Sequence, residues 1–126
     1  MTSPNTPASC LDPVALERLR ELDPSGANKL IERVIAAYLK ALERMLPELE
    51  RARAESIDLN VVRHISHTLK SSSASLGAMD LAERCATIET MARQGQTDGM
   101  DSLLDGMLGQ VALVRQALLD MSPNPS

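Results

Sequence analysis

Val62-Arg63-His64-Ile65-Ser66-His67-Thr68-Leu69-Lys70-Ser71-Ser72-Ser73-Ala74-Ser75-Leu76-Gly77-Ala78 is the stretch whose reading decides the fold. At about 100° per residue, Val62, Ile65, Leu69, Ser73 and Leu76 fall into one stripe of a helix. His67 projects roughly 170° from the centre of that stripe, so its imidazole faces away from a core. Lys70 and Ser71 follow one turn later, beside it. An exposed imidazole, a neighbouring cation and a small residue that leaves room above the ring suit a histidine that another macromolecule must approach closely.

Outward from this helix the chain stays helical. Asp58 is placed to cap its start, and Gly77 is the natural break at its end. Upstream, Asp12 as N-cap, Pro13 at the first helical position and a Leu11–Leu16 staple open a short helix that carries Leu16, Leu19 and Leu22. Asp23-Pro24-Ser25-Gly26 is a turn. A long helix then runs from about Ala27 to Arg53. Its stripe is Ile31, Ile35, Tyr38, Leu42, Met45 and Leu49, widened by Leu30 and Val34. Pro47 inside it is expected to kink or split it. Downstream, about Met79–Gln94 places Leu81, Cys85, Ile88 and Met91 inward, and Gly95–Gly99 is a loop. A last helix over about Met100–Met121 places Leu103, Met107, Val111, Val114 and Leu118 inward. Residues 1–10 and 122–126 read as flexible polar tails around a single domain, 11–121. The expected fold is all-α: an antiparallel up-down-up-down four-helix bundle, with the short extra N-terminal helix covering one end.

Composition narrows the function. The 126 residues include no Phe, no Trp and one tyrosine, Tyr38, so the core is built from Leu, Ile, Val, Ala and Met. The net charge is −4 with acidic and basic residues interleaved, and no basic patch stands out along the chain. Nucleic-acid binding is therefore not expected. No apolar run approaches the roughly 18 residues of a membrane span, and Met1–Ala8 is not a signal peptide. Two cysteines, Cys10 and Cys85, make no disulfide framework. A cytoplasmic monomer is expected. No P-loop or Gly-rich phosphate cradle is present, so no ATP site is expected.

The motif itself resembles that of the histidine phosphotransfer (HPt) domains of two-component phosphorelays: a histidine, any residue, Leu69-Lys70, small residues, then Leu76-Gly77-Ala78. The resemblance continues through Asp80-Leu81, Cys85 and Ile88-Glu89 and covers the helical layout of nearly the whole chain. It departs at one place: the family usually has Gly four residues after the histidine, where this chain has Ser71. The resemblance implies His67 as phosphoacceptor and Lys70 as the cation that stabilises the phosphoryl group. Ser71 would occupy the clearance position, and the second and third helices around His67 would form the docking surface. It implies receiver domains of response regulators and a hybrid sensor histidine kinase as partners. It also implies no cofactor on this chain, since the receiver brings the aspartate, Mg²⁺ and a lysine. The role is a phosphocarrier rather than an enzyme.

Other readings compete. His64 lies one turn earlier, about 60° from His67, as a bystander or modulator at the docking surface. Two histidines at i, i+3 are too few for a closed metal site. Ser71, Ser72 and Ser73, with His67 as base, would need an orienting carboxylate and an oxyanion hole to act as nucleophiles, and the sequence shows neither. Their bland role is close packing, with hydroxyls bonded back to helix carbonyls. Cys85 reads as a buried thiol. A helical adaptor that docks on receivers without carrying phosphate is the alternative function, kept open by the Ser71 side chain. The chain also fits either a stand-alone protein or a domain of a larger kinase.

Overall fold

The computed structural model describes residues 11–26, 29–54 and 56–121; both expected tails, and Cys10, lie outside them. Five helices occur among the described residues, and no strand: α1 (Pro13–Glu21), α2 (Leu30–Ala52), α3 (Leu59–Ser75), α4 (Met79–Arg93) and α5 (Met100–Met121). Short connections force α2 to α5 to run antiparallel to their neighbours. Cross-helix contacts agree. Tyr38 of α2 bonds Ser73 near the far end of α3 at 2.8 Å. Arg53, at the end of α2, reaches Asp101 and Asp105 at the start of α5 at 3.2 and 3.0 Å. The helical bundle with an additional N-terminal helix is as the sequence implies.

The local signals act where expected at most helix ends. The Asp12 carboxylate accepts from Val14 N–H, with Pro13 following it, and Leu11 and Leu16 are both buried. The Asp58 carboxylate accepts from Asn60 and Val61 N–H. α2 differs: it begins at Leu30 rather than near Ala27. Lys29 is left-handed, with φ 52°, so the helix cannot extend through it. Its first free donor, Leu30 N–H, is taken by Asp23 from the preceding turn at 3.1 Å.

α2 also runs unbroken through Pro47. The carbonyl that loses its donor belongs to Glu43, four residues back, and both residues are exposed, so water can replace the missing bond. In α5 the fully buried row is Met100, Leu104, Met107, Val114 and Leu118, and Leu103 is only half-buried. Met91 is likewise half-buried rather than core. Leu22 is 74% exposed, because α1 has already ended at Glu21.

α1 is pinned to the far end of the bundle by one backbone bond, Asp12 N–H to Gly77 C=O at 2.8 Å. Gly77 has φ +84°, and a Cβ there would lie 2.7 Å from both N and O of Asp12. This turn needs glycine twice over, for its left-handed backbone and for the chain that crosses it. No described helix is long and apolar enough to cross a membrane.

Candidate functional site

α3 turns Val62, Ile65, Leu69 and Ser73 into the core, which leaves His67 on the opposite face with 60% of its side chain exposed. Its ring does not stand alone. His67 Nδ1 lies 2.9 Å from Oε2 of Glu89 on α4. Lys70 Nζ lies 2.7 Å from Oε1 of the same carboxylate. Arg93, one turn beyond Glu89, reaches Oε2 at 3.3 Å. The Glu89 side chain is only 7% exposed. It is roofed by these neighbours rather than sunk in the bundle.

The electrostatics follow. Lys70 above all, and His67 after it, hold the Glu89 carboxyl below its ordinary 4.5, against an opposing push from burial. An ionised carboxylate only accepts, so the 2.9 Å contact requires Nδ1 to carry the proton. The neutral ring then has its lone pair on Nε2, the nitrogen turned away from Glu89.

The lowered Glu89 carboxyl is a stability statement. A carboxylate depressed on folding contributes stability that is complete above its unfolded value, here about 4.5, and lost as pH falls through the lower folded value. Denaturant titrations across the acid range should show the parent losing stability below about pH 4.5 more steeply than Glu89→Gln. The slope difference is bounded by that of one proton, about 1.4 kcal/mol per pH unit. Equal slopes would mean that the carboxylate is not held by these cations.

The other residues singled out in the sequence fall into place around this cluster. Ser71 is exposed on the face of His67. It is Ser72 and Ser75 that bond back to helix carbonyls, Thr68 O at 3.0 Å and Ser71 O at 3.2 Å. Ser73 does not bond back, because Tyr38 is within reach across the helix interface. His64 is exposed and takes no part in the Glu89 cluster. Cys85 is fully buried, and its thiol is pushed up to about 12, chiefly by burial and then by the Glu89 charge. It stays protonated and inert.

Two side chains of this cluster have no role assigned from the sequence: Glu89, named there only within the resemblance, and Arg93. An orienting carboxylate for His67 exists after all. It forms no serine triad among the described residues, where no serine hydroxyl bonds His67 and those of Ser72, Ser73 and Ser75 have other partners. A signal for Glu89 was present: in an antiparallel hairpin turning at Gly77-Ala78, His67 and Glu89 stand eleven residues either side of Ala78. Among the described residues, no group of three or more His, Cys, Asp or Glu side chains is placed to hold a metal ion.

Comparison with known proteins adds two findings. The family model of the Hpt domain matches residues 33–121. A curated relative, histidine-containing phosphotransfer protein 1 of Oryza sativa subsp. japonica, is 30% identical over 90 residues, which cover 71% of this chain and 61% of the relative. No solved structure gives a significant match.

Proposed function

The chain belongs to the Hpt domain family, and from that premise we propose that it relays phosphoryl groups between receiver-domain aspartates through Nε2 of His67. The observation that carries this is the Nδ1–Glu89 hydrogen bond, which leaves the exposed nitrogen as the nucleophile. In the forward step the Nε2 lone pair attacks the phosphorus of an aspartyl phosphate. The N–P bond forms as the P–O bond to the aspartate breaks, and the carboxylate leaves with the electron pair. The ring becomes cationic and keeps its Nδ1 proton, which Glu89 faces as an anion. Donation is the reverse.

Lys70 sits where its ammonium can pass from Glu89 to the incoming phosphoryl oxygens, and Arg93 supplies a second cation to the same carboxylate. The catalytic Mg²⁺ and lysine belong to the receiver, so this chain acts as carrier and docking surface, in the cytoplasm and as a monomer. A hybrid sensor kinase is the proposed upstream source. The test is incubation with a phosphorylated receiver domain. Label that is acid-labile and base-stable should appear on this chain, and its absence under conditions where the receiver stays folded and phosphorylated would overturn the proposal.

The role of Ser71 follows from its exposure beside His67. Its hydroxyl is small enough to leave the approach open, whereas a longer side chain overlaps the partner. In titrations against a cognate receiver, Ser71→Gly should bind as well as the parent or better. Ser71→Gln should bind about tenfold more weakly or worse, without loss of fold. Undiminished binding by the Gln variant would show that position 71 does not face the partner.

A further inference from the structure

Acidic and basic residues that interleave along the sequence separate in space on α2. Arg33, Lys40, Arg44 and Arg51 are all exposed, and their spacings of seven, four and seven keep them within about 40° of one another in helical phase. Their row lies about 160° from the buried row of Ile35, Tyr38, Leu42, Met45 and Leu49. Glu32, Glu43 and Glu50 lie along the other edge of α2, the side from which Arg53 reaches Asp101 and Asp105 of α5. The cations therefore face outward, nearly opposite the core, and clear of the acidic edge that lies on the α5 side. Among the described residues none of the four is ion-paired, not even with Glu48, the carboxylate nearest in phase.

Position gives this row its meaning. The Tyr38–Ser73 hydrogen bond fixes the antiparallel register of α2 and α3. Six residues on in α2 and six back in α3, Arg44 is level with His67, and Lys40 is level with Ser71. The row is about 27 Å long at 1.5 Å per residue and is centred near the level of His67. Lys40 and Arg44 are about 6 Å apart along the axis, inside the screening length of about 8 Å at physiological salt, so their potentials add. Like charges one turn apart repel and weaken the helix that bears them. They do so here in a chain whose net charge is −4, so this face is opposite in sign to the molecule as a whole.

We propose that Arg33, Lys40, Arg44 and Arg51 form a docking edge that selects receiver domains carrying acidic residues around their phosphorylated aspartate. The partner lies across α2 and α3, with its acidic rim on the row and its aspartate over His67. This deepens the phosphotransfer reading of His67 and rests on it. Charge complementarity of this kind acts mainly through the association rate and through rejection of wrong partners.

The test uses two phosphorylated receiver domains, one acidic and one basic around the aspartate, with the full chain and its Lys40→Glu/Arg44→Glu variant. Transfer from the acidic receiver to the parent should fall about tenfold or more between about 50 mM and 500 mM salt. The double variant should be slower by a similar factor at low salt, lose most of the salt dependence, and gain on the basic receiver. Lys40→Gln/Arg44→Gln should lie between the two, and circular dichroism checks that each variant keeps its helix content. Equal rates and equal salt dependence for parent and variant would overturn the proposal. So would loss of binding to duplex DNA or to anionic phospholipid vesicles in the variant with receiver transfer unchanged, which would assign the row to those surfaces. Phosphoramidate labels an acceptor histidine without a docked protein. Failure of the parent to take that label would bring down the acceptor role of His67, while titration of the two unphosphorylated receivers still reads the row.

Discussion

His67→Gln is expected to abolish phosphoryl acceptance from a phosphorylated receiver while moving the thermal midpoint by no more than about 2 °C. The two halves have separate causes. Acceptance requires a lone pair on a nitrogen that solvent and partner can reach, and Gln offers an amide in its place. Stability is spared because 60% of the His67 side chain is already exposed, and because Glu89 keeps Lys70 and Arg93 when the ring is removed. His64→Gln, one turn away but with no carboxylate to fix its tautomer, should accept label at the parental rate. Loss of label in the His64 variant together with its retention in the His67 variant would reverse the assignment.

The largest stability effect is expected at Gly77. Alanine there must hold a left-handed backbone, costing about 1–2 kcal/mol, and its Cβ would sit 2.7 Å from the Asp12 backbone. The crossing chain has to shift, which breaks the Asp12 N–H to Gly77 C=O bond and loosens α1. A total of about 3 kcal/mol is expected, or about 10 °C in Tm. Gly95 is the control. It has φ +75° but nothing within 4 Å of a built Cβ, so Gly95→Ala should cost only about 1 kcal/mol. Equal losses at the two positions, measured by chemical denaturation, would mean that α1 is not seated on the α3–α4 turn in solution.

The parts of this architecture that depend on local chemistry were legible in the chain. Asp12-Pro13 and Asp58 announce helix starts, Gly77 announces a stop, and the phase of Val62, Ile65 and Leu69 turns His67 outward before any neighbour is known. Features that depend on two helices at once were less legible. Glu89 looks like an ordinary surface carboxylate on α4 until the hairpin brings it under His67 and Lys70. Ser73 was assigned a bond within its own helix because the competing partner, Tyr38, lies 35 residues away. Leu103 and Leu104 straddle the edge of the buried stripe in α5, where a shift of one residue changes which of them is covered. Pro47 does not split α2, since the lost bond falls on an exposed edge. The cation row was missed because a count along the chain averages over the two edges of α2.

The hydrogen bond between Tyr38 and Ser73 has a spectroscopic consequence. With no Trp and no Phe, the chain has one aromatic chromophore, and it is 5% exposed at the seam between α2 and α3. Near-ultraviolet dichroism and intrinsic fluorescence therefore report one ring at one address, rather than an average over a core. Four residues beyond its partner Ser73, the chain turns at Gly77; six residues before it stands His67. Unfolding curves recorded through unlabelled Tyr38 emission therefore time the parting of two particular helices.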